Sequence, residues 1–186
     1  MLPSNSTERD RSKLIVVAGP PGAGKTTLAH ALARAVRCPM VSRDEIKEGL
    51  VHGAGPAAEA SGELQRRATD AFFDTLALLL ERGVTVVAEA AFQHKVWASR
   101  LEPLMEVADV RLVLCELDPE RALARRATRD LEDPARAAFH PASATTGDYD
   151  PPRLEVPTLR VETAAGYRPG LEMVVAFVRA RYGMRG

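Results

Sequence analysis

Residues 19–27, Gly19-Pro20-Pro21-Gly22-Ala23-Gly24-Lys25-Thr26-Thr27, constrain the fold of this chain more than any other stretch. A glycine, four residues and then Gly-Lys-Thr is the phosphate-binding loop pattern, which works only between a buried strand and the first turn of a helix. Leu14-Ile15-Val16-Val17-Ala18 supplies the strand, a short apolar run of the kind found in parallel sheets. Thr27 to Val36 supplies the helix, with Leu28, Ala31, Leu32 and Ala35 at helical spacing. Gly22 and Gly24 allow backbone conformations that a Cβ would block, so successive N–H groups can turn inward as an anion nest. The helix start adds unpaired N–H groups and a positive dipole end. Gly19, Gly22, Ala23 and Gly24 are expected to cradle the phosphates. Lys25 should reach the β- and γ-phosphates, Thr26 should ligate Mg²⁺, and Thr27 should donate to the α-phosphate. A nucleoside-triphosphate site follows.

The rest of the chain repeats the alternation that this motif requires. Strand candidates at Leu14–Ala18, Met40–Ser42, Val84–Ala88, Val110–Cys115 and Thr158–Val161 are separated by helical stretches near 25–36, 44–50, 61–82, 94–107, 119–130 and 169–182. Strands alternating with helices predict a three-layer α/β/α sandwich around a parallel five-stranded sheet. Two loops are long, Val51–Ala60 and the proline-rich Leu131–Pro157, and loops of that length in a compact domain usually serve function. Residues 1–12 are polar and read as a flexible arm. Residues 13–186 read as one domain, with a lid near 119–135.

Composition narrows the partners. With 25 basic and 25 acidic side chains the formal charge is zero, unlike a protein built mainly to hold nucleic acid. Cys38 and Cys115 are the only cysteines and have no metal or redox spacing, which fits a cytoplasmic chain with free thiols. No signal peptide and no membrane span is expected.

Ser42-Arg43-Asp44-Glu45-Ile46-Lys47 leaves the second strand and enters a helix. Ser42 and Glu45 fit a capping box, which puts Asp44 in the first helical turn, near the sheet edge where the glycine loop opens. Asp44 there either complements the helix dipole or accepts the proton of a hydroxyl that attacks the γ-phosphate. Val84-Thr85-Val86-Val87-Ala88-Glu89 is a strand ending in a carboxylate. Glu89 could hold a magnesium-bound water, orient Lys25, contact the acceptor or form a plain ion pair. Phe92 and its neighbours should line the acceptor side, and His94 reads as a helix-start histidine. Arg125 and Arg129 stand four apart on one helical face, with Arg126 turned elsewhere toward the surface.

The pairing of the glycine loop with Val-Ser-Arg-Asp-Glu-Ile-Lys-Glu resembles the P-loop kinases related to polynucleotide 5′-hydroxyl kinases, zeta-toxin-like kinases and chloramphenicol phosphotransferases (AAA_33-type ATP-binding proteins). The resemblance spans roughly Lys13 to Tyr182 and implies a P-loop NTPase sheet in the order 2-3-1-4-5 with a helical lid. It implies ATP as donor, Asp44 as catalytic base and Lys47 as an acceptor-binding cation where arginine is more usual. Glu89 stands where the family often has Asp. Arg125 and Arg129 match lid arginines that clamp phosphates and neutralise the transferring group. Thr163 falls in the exit loop where such kinases hold adenine. The resulting expectation is an ATP-dependent phosphotransferase acting on a hydroxyl acceptor. A small molecule is favoured over a nucleic-acid 5′-end by the neutral charge and low aromatic content. A nucleoside or nucleotide kinase and a nucleotide-dependent regulatory ATPase are the alternatives. The oligomeric state is not legible.

Overall fold

Alternation along the central strands divides the core in two. Leu14, Val16 and Ala18 face one side of the sheet, while Ile15 and Val17 face the other, and all five are fully buried. A strand apolar on both faces must be covered on both, so helices flank it. The computed structural model describes residues 11–54, 62–132 and 149–180. Within them the order is β1 (Lys13–Ala18), α1 (Lys25–Val36), β2 (Met40–Ser42), α2 (Arg43–Ala54), α3 (Glu63–Glu81), β3 (Val86–Glu89), α4 (His94–Val107), β4 (Asp109–Glu116), α5 (Pro119–Glu132), β5 (Thr158–Glu162) and α6 (Leu171–Arg179). The five strands form one parallel sheet in the order β2-β3-β1-β4-β5. Both the sandwich and the expected strand order are present.

One core face holds Phe72, Phe73, Leu76 and Leu80 of α3 with Trp97, Leu101 and Leu104 of α4. The opposite face holds Leu28, Ala29 and Leu32 of α1 with Val174 and Val178 of α6. The chain passes from β1 to β2 on one side of β1 and later crosses to β4 on the other. That reversal makes the carboxyl end of β1 a topological switch point, where a ligand crevice forms in open α/β sheets. The glycine loop opens there.

Several boundaries differ from the sequence reading. β3 starts at Val86, because the Val84 amide is bonded to the Leu79 carbonyl and the Thr85 hydroxyl accepts the Lys13 amide. α2 continues to Ala54, into the expected loop; residues 55–60 of that loop lie outside the described residues. α5 runs through Glu132, and residues 133–148 of the second loop, with the end of the expected lid, also lie outside them. Residues 1–10 of the expected arm lie outside as well. Arg11 and Ser12 are not loose: the Ser12 hydroxyl donates to the Leu80 carbonyl, and Arg11 donates to the carbonyls of Met105 and Glu106.

Candidate active site

Gly19, Gly22 and Gly24 all have positive φ, at 151°, 83° and 75°. Two of these positions also exclude a side chain by contact. A Cβ on Gly22 would collide with the carbonyl of Ala122 in α5, and one on Gly19 would come to 2.7 Å from the Cys115 carbonyl oxygen. The loop is therefore wedged between the ends of β4 and α5, which fixes the base of the α5 helix against it.

Beside the loop lies a cavity of about 550 Å³ lined by Gly22, Gly24, Lys25, Thr26, Thr27, Arg125, Arg129, Thr163, Gly166 and Tyr167. It gathers Lys25, Thr26, Thr27 and both expected lid arginines. Ala23, the remaining cradle residue, is fully buried. The Lys25 ammonium donates to the Pro20 carbonyl at 3.0 Å, closing the loop on itself. Arg125 Nη2 donates to the carbonyls of Thr163 and Ala164, each at 2.8 Å, and so ties α5 to the loop after β5. The Arg129 Nε is buried without a hydrogen-bond partner among the described residues, 4.0 Å from an Asp130 carboxylate oxygen. Arg126, expected at the surface, is instead mostly covered and pairs with Asp130 at 3.8 Å.

Thr163 lines this cavity, but its hydroxyl is committed elsewhere. It lies 2.8 Å from the Ala23 carbonyl and 3.2 Å from that of Glu116, while its own amide donates to Glu116 at 3.0 Å. A buried hydroxyl has one proton to give, and here it joins the glycine loop to β4 and β5. The kinase resemblance puts Thr163 near a nucleotide; this cross-link between three elements becomes visible only in the fold.

On the other side of β1, parallel pairing sets Val17 opposite Glu89 and Ser42 opposite Glu89. The Glu89 carboxylate is buried and accepts the Ser42 hydroxyl at 2.8 Å. Burial pushes its pKa up, and the Lys25 ammonium and the Ser42 hydrogen bond oppose that, whereas the Asp44 and Glu45 charges add to it. One carboxylate thus feels both the loop lysine and Asp44. The capping box forms only in part: the Ser42 oxygen receives the Glu45 amide at a long 3.5 Å, but Glu45 pairs with His30 of α1 at 3.1 Å instead of reaching back. Asp44 starts α2 with its side chain 44% exposed and 3.3 Å from Arg43 Nη1. Arg43 reaches across to the carbonyl and side-chain oxygens of Gln65 at the start of α3, a link with no sequence signal. Lys47, one turn after Asp44, is buried, 1% exposed.

Phe92 departs from expectation. Its ring has no accessible surface and packs against Phe72 and Trp97, with centroids 5.8 and 5.3 Å apart. What Phe92 contributes near the site is a backbone kink, φ 52°, that turns the chain away after β3. His94 does open α4, as expected, and its amide donates to the Asp150 carbonyl at 2.9 Å.

A family model described as an AAA domain, AAA_33, matches residues 14–150. The chain belongs to this family. Among solved structures, a candidate kinase from Chloroflexus aurantiacus j-10-fl is 25% identical, covers 94% of this chain and all (100%) of its own, and superposes with a TM-score of 0.78. The APS kinase CysC of Mycobacterium tuberculosis, in complex with AMPPNP and APS, is 20% identical with a TM-score of 0.61, over 92% of this chain and 99% of its own. A gluconokinase from Sinorhizobium meliloti 1021 is 17% identical with a TM-score of 0.57, over 91% and 90%. The last two share the fold. No curated protein matches the sequence. The AAA_33 chain described here thus has the P-loop kinase fold, with its glycine loop, arginine helix and strand-end carboxylates at one edge of the sheet. Among the described residues no helix is long and apolar enough to cross a membrane.

Proposed function

We propose that this AAA_33 protein is an ATP-dependent phosphotransferase that moves the γ-phosphoryl group to the hydroxyl of a small molecule. One observation carries the reading: parallel pairing sets Glu89 beside Val17, just before the glycine loop, and its carboxylate accepts the Ser42 hydroxyl at the entry to α2, so the loop that carries Lys25 and the helix that opens with Asp44 leave one edge of the sheet side by side. Phosphoryl transfer asks a protein for positioning and charge neutralisation more than for covalent chemistry. Lys25 leaves the Pro20 carbonyl for the β- and γ-phosphates, Arg129 supplies an unspent donor from α5, and Arg125 holds α5 over the nucleotide. Asp44, half in solvent and carried on a helix start, accepts the proton of the attacking hydroxyl. Lys47 and Glu89 shape the acceptor side.

The donor set fits one Mg²⁺. Thr26 lines the phosphate cavity and could offer its hydroxyl to the ion, and the buried Glu89 carboxylate could hold a bound water, with nucleotide oxygens as further ligands. When bound, the ion offsets phosphate charge.

The test is a radiolabelled ATP transfer screen over hydroxylated metabolites, nucleosides, nucleotides and 5′-hydroxyl oligonucleotides. Label on a small hydroxylated molecule supports the reading. Transfer only to oligonucleotides, falling steeply with salt, would replace it with the polynucleotide reading. Slow ATP hydrolysis that no acceptor accelerates would leave a regulatory ATPase.

A further inference from the structure

A carboxylate in the first turn of a helix has water on one side and several rotamers within reach. Something must hold it if it is to take a proton at one fixed place. Asp44 is such a group, with its side chain 44% exposed at the start of α2. Its chain neighbour Arg43 is the opposite case. Only 16% of that side chain is exposed, and its guanidinium reaches toward α3 instead of out into water. Nη2 donates to the Gln65 carbonyl at 3.4 Å and to the Gln65 side-chain oxygen, in the first turn of α3. Nη1 lies 3.3 Å from Asp44 Oδ1. Nε is buried, without a hydrogen-bond partner among the described residues. A guanidinium is a rigid planar fork, so gripping one prong at α3 fixes where the other prong stands. Asp44 rests against that second prong.

The charges nearby give a cation at this place a purpose. Glu45 follows Asp44 in α2, and the buried Glu89 carboxylate of β3 feels both of them. Carboxylates that share a site hold their protons to higher pH, and a protonated Asp44 could not take another. Lys25 of α1 acts on Glu89, but nucleotide phosphates would claim its charge. Lys47 is buried one turn along α2, and His30 of α1 is engaged with Glu45. On α3, Glu63, Arg66 and Arg67 are exposed, where solvent and salt screen them. Arg43 is in direct contact with Asp44 and stays so whether or not Lys25 is occupied. A pair this exposed adds little to stability. What the fork supplies is direction and charge.

We propose that Arg43 is a positioning residue for Asp44: by joining it to the start of α3, it keeps the carboxylate ionised and turned to the attacking hydroxyl. The inference rests on the phosphotransferase reading, in which Asp44 is the base. No proton leaves the guanidinium. The hydroxyl proton passes to Asp44 as the acceptor oxygen bonds phosphorus and the bond from phosphorus to the departing ADP oxygen breaks.

The test uses the full chain with ¹³C-labelled aspartate, the Asp44 carboxyl resonance being identified by its absence from Asp44→Asn. In Arg43→Gln that resonance should titrate at higher pH than in wild type, a measurement that needs no acceptor. With ATP and the hydroxyl compound that best takes label, turnover of Arg43→Gln at pH 7 should fall about 10-fold or more, with KM for ATP within about two-fold. The acid limb of its turnover profile should move up in pH together with the resonance. Gln65→Ala, at an exposed position, should lower turnover about 3-fold without unfolding the chain, and should add no further loss to Arg43→Gln. An Asp44 titration unchanged in Arg43→Gln overturns the inference, and so does wild-type turnover in either variant. Loss of ATP affinity equal to the loss of turnover overturns it too, since Arg43 would then be structural. Wild-type protein that transfers label to no acceptor overturns the phosphotransferase reading and this inference with it.

Discussion

A carboxylate buried at a strand end, as Glu89 is, ionises at the expense of folding stability, and that makes it measurable. Its pKa is raised in the folded chain, chiefly by burial, so its stabilising share is intact below the ordinary carboxylate range and is lost as pH rises through the raised value. Glu89→Gln removes the titration but keeps an acceptor for Ser42. In thermal melts without nucleotide, the variant should gain on wild type as pH rises above the ordinary carboxylate range; a difference flat with pH would refute the assignment. Two substitutions address the chemistry directly. Asp44→Asn should lower turnover by roughly 10²-fold or more while ATP affinity, by calorimetry, stays within a few-fold. Near-normal transfer would remove Asp44 as base. Lys25→Ala should abolish transfer, since among the described residues no other ammonium lines the nucleotide cavity. At this scale the sequence was most informative for the glycine loop, whose spacing specifies its own geometry. It was least informative for Phe92, because whether an aromatic ring fills a core or lines a cleft depends on its neighbours in space.

Elements meet in the site through contacts that spacing does not reveal. α5 backs onto the loop at Gly22 and is tied to the β5 exit through Arg125, while Thr163 joins that exit to the loop and to β4. Gly22→Ala should push α5 off the loop, since the methyl would occupy the space of the Ala122 carbonyl and positive φ is unfavourable for alanine. Loss of ATP affinity of about 10-fold or more with a folded far-ultraviolet circular dichroism spectrum is the expected outcome; unchanged affinity would show α5 to be independent of the loop. A second clasp lies at the opposite end of the sheet. Lys13 Nζ donates to the Ala180 carbonyl at 2.8 Å and Arg111 Nη2 at 2.9 Å, with Asp109 between the two cations. Cations at a helix carboxyl end are favourable, and Arg111 is almost wholly buried, which makes it an anchor for α6. The alternation of strands and helices was legible in the sequence. The ends of α2, α5 and β3 were not, because side-chain and loop hydrogen bonds, and not periodicity, terminate them.

For the whole molecule, Cys115 links packing to function. Burial pushes its thiol up to about 12, and its carbonyl lies against Gly19. Native protein at pH 8 should resist iodoacetamide at this site, urea-unfolded protein should react, and bound ATP should slow any residual labelling by holding the loop closed. Fast labelling of native Cys115 would show that the loop and β4 separate readily. The pattern Gly-x-x-x-x-Gly-Lys-Thr after an apolar run, with strands and helices in turn, was enough by itself to specify a phosphate site on a parallel α/β sheet, because backbone sterics and buried hydrogen bonding leave few other solutions. Tertiary structure alone decided which side chains share that site. Glu89 meets Ser42 through strand pairing, and Arg125 and Thr163 bind carbonyls distant in sequence. Such contacts join residues far apart along the chain, and only the packed sheet and its helices bring them within reach.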